Sequence, residues 1–191
     1  MADARFGPTV ERFDAAIDTW FDGLRGNPVA DRVFYVASAL GDHSLIWHLA
    51  GFARAAAPGG QLRDAVELST TLGVESALVN LGLKSLFSRT RPTHDGERPL
   101  GLREPRTSSF PSGHASAAFV AAAVLSDRRP LPEVLFWYGL AGVVATSRVY
   151  VKIHHASDVA AGAAVGVVVG VAAKRIWRRV NRNLPARGGV G

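Results

Sequence analysis

Apolar and polar positions along this chain fall into blocks of helical period, and the blocks differ in how much of their surface is apolar. Between Thr9 and Leu24 the apolar residues Val10, Phe13, Ile17, Trp20, Phe21 and Leu24 recur at helical spacing, while Glu11, Arg12, Asp14, Asp18 and Asp22 fill the other side. This predicts an amphipathic helix within an N-terminal segment, 1–28, lying on a surface that is either the bilayer interface or the rest of the protein. Gly26-Asn27-Pro28 ends it. Longer blocks follow at Val33–Ala53, Val66–Phe87, about Pro111–Ser126, about Val134–Tyr150 and about Ser157–Trp177. The first is interrupted by Asp42, His43 and His48, and the second holds Glu75 and Asn80 and ends at Lys84, so these polar groups are expected to face protein. The last three are apolar on nearly all faces, as suits burial in lipid. Crossing a bilayer core of about 30 Å takes roughly 20 residues of helix. The pattern therefore predicts an all-α, polytopic membrane helical bundle: five transmembrane helices preceded by an interfacial amphipathic helix. Connections are read at Arg54–Arg63, in the polar stretch Ser88–Ser109 and at Asp127-Arg128-Arg129-Pro130. Gly162, Gly166 and Gly170 are spaced by four and share a face, the small-residue pattern that lets membrane helices approach closely.

Composition changes this picture little. No composition shift divides the 191 residues, so a single membrane-embedded domain over 1–191 is expected, with a basic tail at 178–191. The formal charge of +6 and the pI near 10.5 suit an anionic membrane or a phosphorylated substrate. No aromatic-interleaved basic stripe or known nucleic-acid module is present, and no nucleic-acid partner is expected. The absence of cysteine excludes disulfides and thiolate metal sites. Met1–Val10 has no apolar stretch, so a cleaved secretory signal is not expected. A mean hydropathy of only +0.12 is low for a multi-span protein. The charged first helix and the Arg-rich loop account for that dilution, and a soluble helical protein stays open as the alternative.

Three clusters carry candidate chemistry: Lys84 with Arg91-Pro92, Pro111-Ser112-Gly113-His114, and Ser147-Arg148 followed by His154 and Asp158. In an alternating bundle Lys84 ends helix two, Ser112 and His114 begin helix three, Arg148 ends helix four, and His154 and Asp158 begin helix five. All four ends then emerge on the same side. Arg91 and Arg148 offer planar forks matched to phosphate oxygens, and Lys84 adds a point charge. Ser112 and the Gly113 amide stand at a helix N-terminus, where unpaired N–H groups favour an anion. His154 and Asp158 are one helical turn apart, so the carboxylate can hold one ring nitrogen and leave the other free to attack phosphorus. His114 is then the acid for the leaving group and the base that activates water.

These clusters resemble the three signature motifs of the type 2 phosphatidic acid phosphatase superfamily in order, spacing and residue identity, over Lys84–Asp158 and on into the Gly-rich last helix. The resemblance implies a metal-independent phosphatase with a phosphohistidine intermediate, acting mostly on lipid phosphates or diphosphates at the membrane and needing no cofactor. It implies phosphate binding by Lys84, Arg91, Ser112, Gly113 and Arg148, His114 as acid, and His154 with Asp158 as the nucleophile pair. The chain departs from many members in carrying His155-Ala156 after the nucleophile, where Tyr-Pro is common. The spacing to Arg148 and Asp158 selects His154 over His155.

Within that resemblance the expected substrate is a polyprenyl (di)phosphate or a prenyl-linked sugar phosphate of bacterial envelope synthesis, with phosphatidylglycerophosphate or phosphatidic acid as the alternative. A soluble acid phosphatase or a vanadate-dependent haloperoxidase bears the same motifs, and a non-catalytic lipid-binding scaffold is a further alternative. Elsewhere bland roles are expected. His43, His48, Glu75 and Asn80 are read as polar packing groups, and His94, Asp95, Arg98, Arg103 and Arg106 as a solvated loop. A secondary hypothesis gives the loop arginines, with Arg89, a part in recognising the head group or a second phosphate. Lys174, Arg175, Arg178, Arg179, Arg182 and Arg187 are read as a positive cap on the last span. Cations in the Arg54–Arg63 turn, at Arg128-Arg129 and at the C-terminus mark the cytoplasmic side, which predicts a multi-pass cell-membrane protein with an extracytoplasmic site.

Overall fold

The computed structural model describes residues 6–94, 99–102, 105 and 107–183, and among them there are helices and no strand. The N-terminal amphipathic pattern forms α1, Pro8–Asp22. Asn27 caps the next helix by accepting from the amides of Val29 and Ala30, and Pro28 occupies its first turn, where a missing N–H costs nothing. The block read as one helix over Val33–Ala53 is in fact two, α2 (Pro28–Leu40) and α3 (Leu45–Ala56). Between them lies a tight turn, Asp42–Ser44, in which His43 and Ser44 adopt left-handed backbone angles. Of the polar residues that looked like interruptions of a span, Asp42 and His43 are its breaking point, whereas His48 sits inside α3. Helix α4 covers Leu62–Ala77 and continues through a widened turn, Leu78–Gly82, into a tight turn, Leu83–Leu86. After the loop come α5 (Gly113–Leu125), α6 (Leu131–Tyr150) and α7 (Ala156–Asn183).

Helix α5 is the axle of the bundle, packed against α7, α6 and α4. Its thirteen residues rise only about 20 Å, short of a bilayer core. Ala115, Ala118 and Val120 to Ala123 are fully enclosed, so its uniformly apolar sequence reflects burial in protein rather than in lipid. The glycine stripe of α7 is what brings it so close to α5. A Cβ on Gly162 would fall 2.3 Å from the Ser112 carbonyl oxygen, one on Gly166 would fall 2.3 Å from that of Ser116, and one on Gly170 would fall 2.6 Å from the Ala123 Cβ. One core joins Trp47, Leu68 and Leu72 to α5 and α6, and another gathers Phe21, Val149, Tyr150 and Ile153 near the ends of α6 and α7.

Large apolar side chains also face outward, among them Val33 and Val36 on α2, Leu49 and Phe52 on α3, Val74 and Leu81 along α4 and its extension, Leu135 and Phe136 on α6, and Val168 and Ile176 on α7. Among the described residues only α7 is both long and apolar enough to cross a membrane by itself. The basic residues Lys174 to Arg182 continue this helix rather than forming a tail from 178, and Arg187 lies outside the described residues. Helix α1 departs from its sequence pattern. Asp14, expected on the outward polar side, is buried, while Phe13 and Trp20 are exposed.

Candidate active site

The ends of four elements meet where the sequence clusters lie. Lys84 is buried in the turn that follows α4, and Ser112 is the N-cap of α5, its Oγ accepting from the Ala115 amide at 3.4 Å. The Ser112 amide donates to the Asp158 carbonyl at 3.0 Å, which fixes the start of α5 against the start of α7. Arg148 closes α6, and its carbonyl accepts from the amides of both Ile153 and His154, at 3.1 and 3.0 Å. The arginine and the histidine are thus tied through one backbone turn. The Arg148 side chain is buried and donates to Ser38 Oγ on α2. Packing does not demand glycine at 113, since an added Cβ would meet only Asn80 Oδ1 at 3.6 Å and Val79 at 4.0 Å, which are ordinary contacts.

His154 is 2 % exposed and lies between two charged groups. Its Nδ1 is 3.6 Å from Asp158 Oδ2, slightly beyond hydrogen-bond reach, and its Nε2 is 3.3 Å from an Arg91 NH1 group. Asp158 is fully enclosed, its Oδ2 accepting the His155 amide at 2.9 Å and its Oδ1 facing Arg89. Burial lowers the His154 pKa to about 3, because a charged imidazolium there would lose its water. At neutral pH the ring is therefore neutral, with a lone pair on one ring nitrogen. His155 is more exposed, pointing its Nε2 at the Thr90 carbonyl 3.3 Å away, and its backbone amide donates to Asp158.

Arg91 is held more firmly than a free phosphate fork would be. Its Nε donates to the Pro105 carbonyl, NH1 to that of Ile153, and NH2 to those of Thr107 and Ser108, at 2.8–3.3 Å. These carbonyls aim the guanidinium at His154. A cavity of about 420 Å³ opens beside His154, bounded by Arg91, Pro92 and Lys152 and, on the far side, by Glu11, Asp14 and Asp18 of α1.

Sequence reasoning missed Asp42, Ser38 and Asp14 and gave Arg89 a different role. His114 Nε2 approaches Asp42 Oδ1 at 3.0 Å, and Gly41 makes the approach possible, because a Cβ there would stand 2.7 Å from the His114 ring. An acid–histidine pair set in an apolar block was a readable signal, but only tertiary packing joins it to His114. Ser38 carried no signal at all. Arg89 was visible two residues before Arg91, yet instead of facing a head group it is buried and pairs with Asp14 and Asp158 at 2.6 Å each. Asp14 looked like one more solvated charge on α1. Of the bland expectations, His48 packs as a polar group against Ser69 Oγ at 2.9 Å, and Asn80 donates to Ser76 Oγ at 3.1 Å. Glu75 is buried against α5 with one carboxylate oxygen unpartnered. Asp95, Arg98, Arg103 and Arg106 lie outside the described residues. Among the described residues no three His, Asp or Glu side chains are grouped to hold a metal ion.

With this geometry in place, comparison with known proteins decides the family. Residues 64–182 match the PAP2 superfamily. The chain belongs to the PAP2 superfamily. The match runs from the start of α4 to the end of α7, so it covers every candidate residue of the three motifs. This PAP2 protein is 34% identical, over 136 residues, to the decaprenylphosphoryl-5-phosphoribose phosphatase of Mycobacterium tuberculosis, covering 70% of this chain and 72% of that one. It is 36% identical over 114 residues to the lipid A 1-phosphatase of Porphyromonas gingivalis, covering 54% of this chain and 22% of that longer protein. Among solved structures it resembles a transmembrane PAP2 type phosphatidylglycerolphosphate phosphatase from Bacillus subtilis. The two share a TM-score of 0.69 and 25% identity over 94% of this chain and 91% of the other. The protein is a phosphatase of the PAP2 superfamily, and its helical bundle is the one found in that transmembrane relative.

Proposed function

We propose that the protein hydrolyses a phosphate monoester or diphosphate on a membrane lipid through a phosphohistidine on His154. The observation that carries this reading is the position of His154, with Asp158 behind Nδ1 and Arg91 beside Nε2 at the one end shared by α5, α6 and α7. The Nε2 lone pair attacks phosphorus, the bond to the ester oxygen breaks, and His114, partnered by Asp42, gives the leaving oxygen its proton. His114 then takes a proton from water, the resulting hydroxide attacks phosphorus, and cleavage of the P–N bond releases inorganic phosphate. Lys84, Arg91, Arg148, Ser112 and the Gly113 amide bind the phosphoryl oxygens, with the N-terminus of α5 adding the pull of its unpaired amides. No metal or other cofactor takes part.

The substrate is a polyprenyl (di)phosphate or a prenyl-linked sugar phosphate of bacterial envelope synthesis. Support comes from the similarity to the decaprenylphosphoryl-5-phosphoribose phosphatase, which extends across most of both chains. A second reading, phosphatidylglycerophosphate, is favoured by the likeness to the Bacillus subtilis structure over nearly the whole chain. The outward apolar belt on α2, α3, α4, α6 and α7 supports a single membrane-embedded domain with five spans, the first broken at Asp42–Ser44, and with α1 at the interface. Arg54, Arg128, Lys174, Arg178 and Arg182 line one groove at the end of the bundle away from His154. That supports a cytoplasmic position for the cationic end and an extracytoplasmic site. Phosphate release from a panel of purified lipids in detergent tests the substrate. His154→Ala abolishes turnover, vanadate inhibits and chelators do not; normal turnover by His154→Ala would sink the mechanism.

A further inference from the structure

Two buried residues that are not among the defining residues of the three motifs, Arg89 and Asp14, gather at Asp158 and its neighbour Ser157. Arg89 NH1 donates to Asp158 Oδ1 at 2.6 Å and to Ser157 Oγ at 2.7 Å, while its NH2 pairs with Asp14 Oδ2 at 2.6 Å. Asp14 accepts the Ser157 amide at 2.7 Å on Oδ1 and the Ser157 hydroxyl at 2.8 Å on Oδ2. The side chains of Asp14 and Arg89 are only 7% and 8% exposed. The Arg89 guanidinium also lies over the Phe6 ring, 4.6 Å from its centroid. A carboxylate on an amphipathic surface helix is stable in water, and burying one costs several kcal/mol unless it is paired and hydrogen-bonded. Asp14 nevertheless turns inward, and among the described residues its side-chain hydrogen bonds come from Arg89 and from Ser157 in the first turn of α7.

The arrangement fixes both oxygens of Asp158. Oδ1 is held by Arg89 and Oδ2 by the His155 amide, which leaves Oδ2 facing His154 Nδ1. It also divides the charge of Arg89 between two carboxylates. Were Asp14 neutral, the full guanidinium charge would bear on Asp158 and weaken its hold on the imidazole proton.

We propose that Asp14 and Arg89 are positioning residues of the phosphatase reaction: α1 delivers Asp14 onto Arg89, and the Arg89 fork locks Asp158 so that it orients His154. Helix α1, which precedes the segment matched to the family, thereby becomes part of the site. The inference rests on His154 as the nucleophile.

Asp14→Asn and Arg89→Lys, each in the full chain purified in detergent, test it. Three quantities are measured: turnover of p-nitrophenyl phosphate, affinity for orthovanadate, and affinity for inorganic phosphate. Vanadate bonds to the nucleophile nitrogen and so reports the aim of His154, whereas phosphate reports the anion-binding groups alone. Misplacement of a reacting group by about 1 Å can cost on the order of 100-fold, so each variant is expected to lose about 10- to 100-fold in kcat. Vanadate affinity falls by a similar factor and phosphate affinity is unchanged. A fall in kcat with vanadate affinity intact means that fewer molecules are active, a purely structural role, and overturns the proposal. Parallel weakening of vanadate and phosphate overturns it too, because the pair then belongs to anion binding. If Asp14→Asn does not fold, Arg89→Lys decides, since it keeps the buried charge and removes only the fork. Wild-type values in these variants beside an inactive His154→Ala reject this inference alone, whereas an active His154→Ala rejects the nucleophile reading beneath it.

Discussion

Gly162→Ala tests whether the close approach of α7 to α5 builds the site or merely fills the core. The added methyl would lie 2.3 Å from the Ser112 carbonyl oxygen and 3.2 Å from the Ala115 Cβ, and the first of these is backbone that cannot rotate away. Restoring ordinary contact requires the two helices to part by about 1 Å at this level. Ser112 is the N-cap of α5, and its amide is bonded to the Asp158 carbonyl, so the same displacement moves the turn proposed to bind the phosphoryl group away from Asp158 and His154. Overpacking of this kind costs about 1–3 kcal/mol, and a shift of about 1 Å between reacting groups costs on the order of 100-fold in kcat. Gly170→Ala is the matched control. It meets the Ala123 Cβ at 2.6 Å, about 12 Å further along α7 and away from the chemistry. Both variants should melt earlier in detergent, by roughly 5 °C, while only Gly162→Ala loses turnover of its lipid phosphate. Wild-type kcat in Gly162→Ala, or an equal loss in Gly170→Ala, would refute the argument.

Acid stability provides a second check. In the unfolded chain His154 takes up a proton near pH 6.5, but in the folded protein only near 3, because burial excludes the charge. Above that window the ring is neutral in both states. Within it the unfolded state binds the extra proton, so folding stability declines as pH falls from 6.5 towards 3. His154→Asn should flatten part of that decline in melting temperature against pH, and an unchanged profile would contradict it. Asp42→Asn removes the carboxylate facing His114 and is expected to lower kcat about tenfold or more with little change in vanadate affinity; steady-state kinetics at neutral pH decide it. Arg25 donates to the Tyr150 and Val149 carbonyls at 2.8 and 2.9 Å and pairs with Asp18 at 2.7 Å, fastening the α1–α2 connection to the end of α6. Arg25→Ala should cost about 2 kcal/mol in reversible denaturation while leaving the kcat of the folded fraction intact.

Much of the candidate site was legible in the sequence because its residues stand at helix ends whose positions follow from the hydrophobic pattern. Ser112 caps a helix, Arg148 ends one, and the four-residue spacing of His154 and Asp158 puts them on one turn. The glycine stripe was legible for the same reason, since a period of four fixes a face whatever that face meets. The division of Val33–Ala53 into α2 and α3 was not. Its apolar content suits one helix, and the break sets Gly41 against the His114 ring, a contact between residues 73 positions apart. The apolar faces of α5 were misassigned to lipid because a helix enclosed by other helices and one enclosed by acyl chains have the same composition.

The sequence by itself determined the helical class, the three motifs, their convergence on one end of the bundle and the placing of His154, rather than His155, one helical turn before Asp158. All of these follow from local spacing, which the backbone period converts directly into geometry. Tertiary structure alone decided which charges gather around Asp158 and His154. Asp14 and Arg89 are chemically indistinguishable from solvated residues until distant segments bury them, and burial is what turns an ordinary charge into one that must be paired and therefore holds its partner in place.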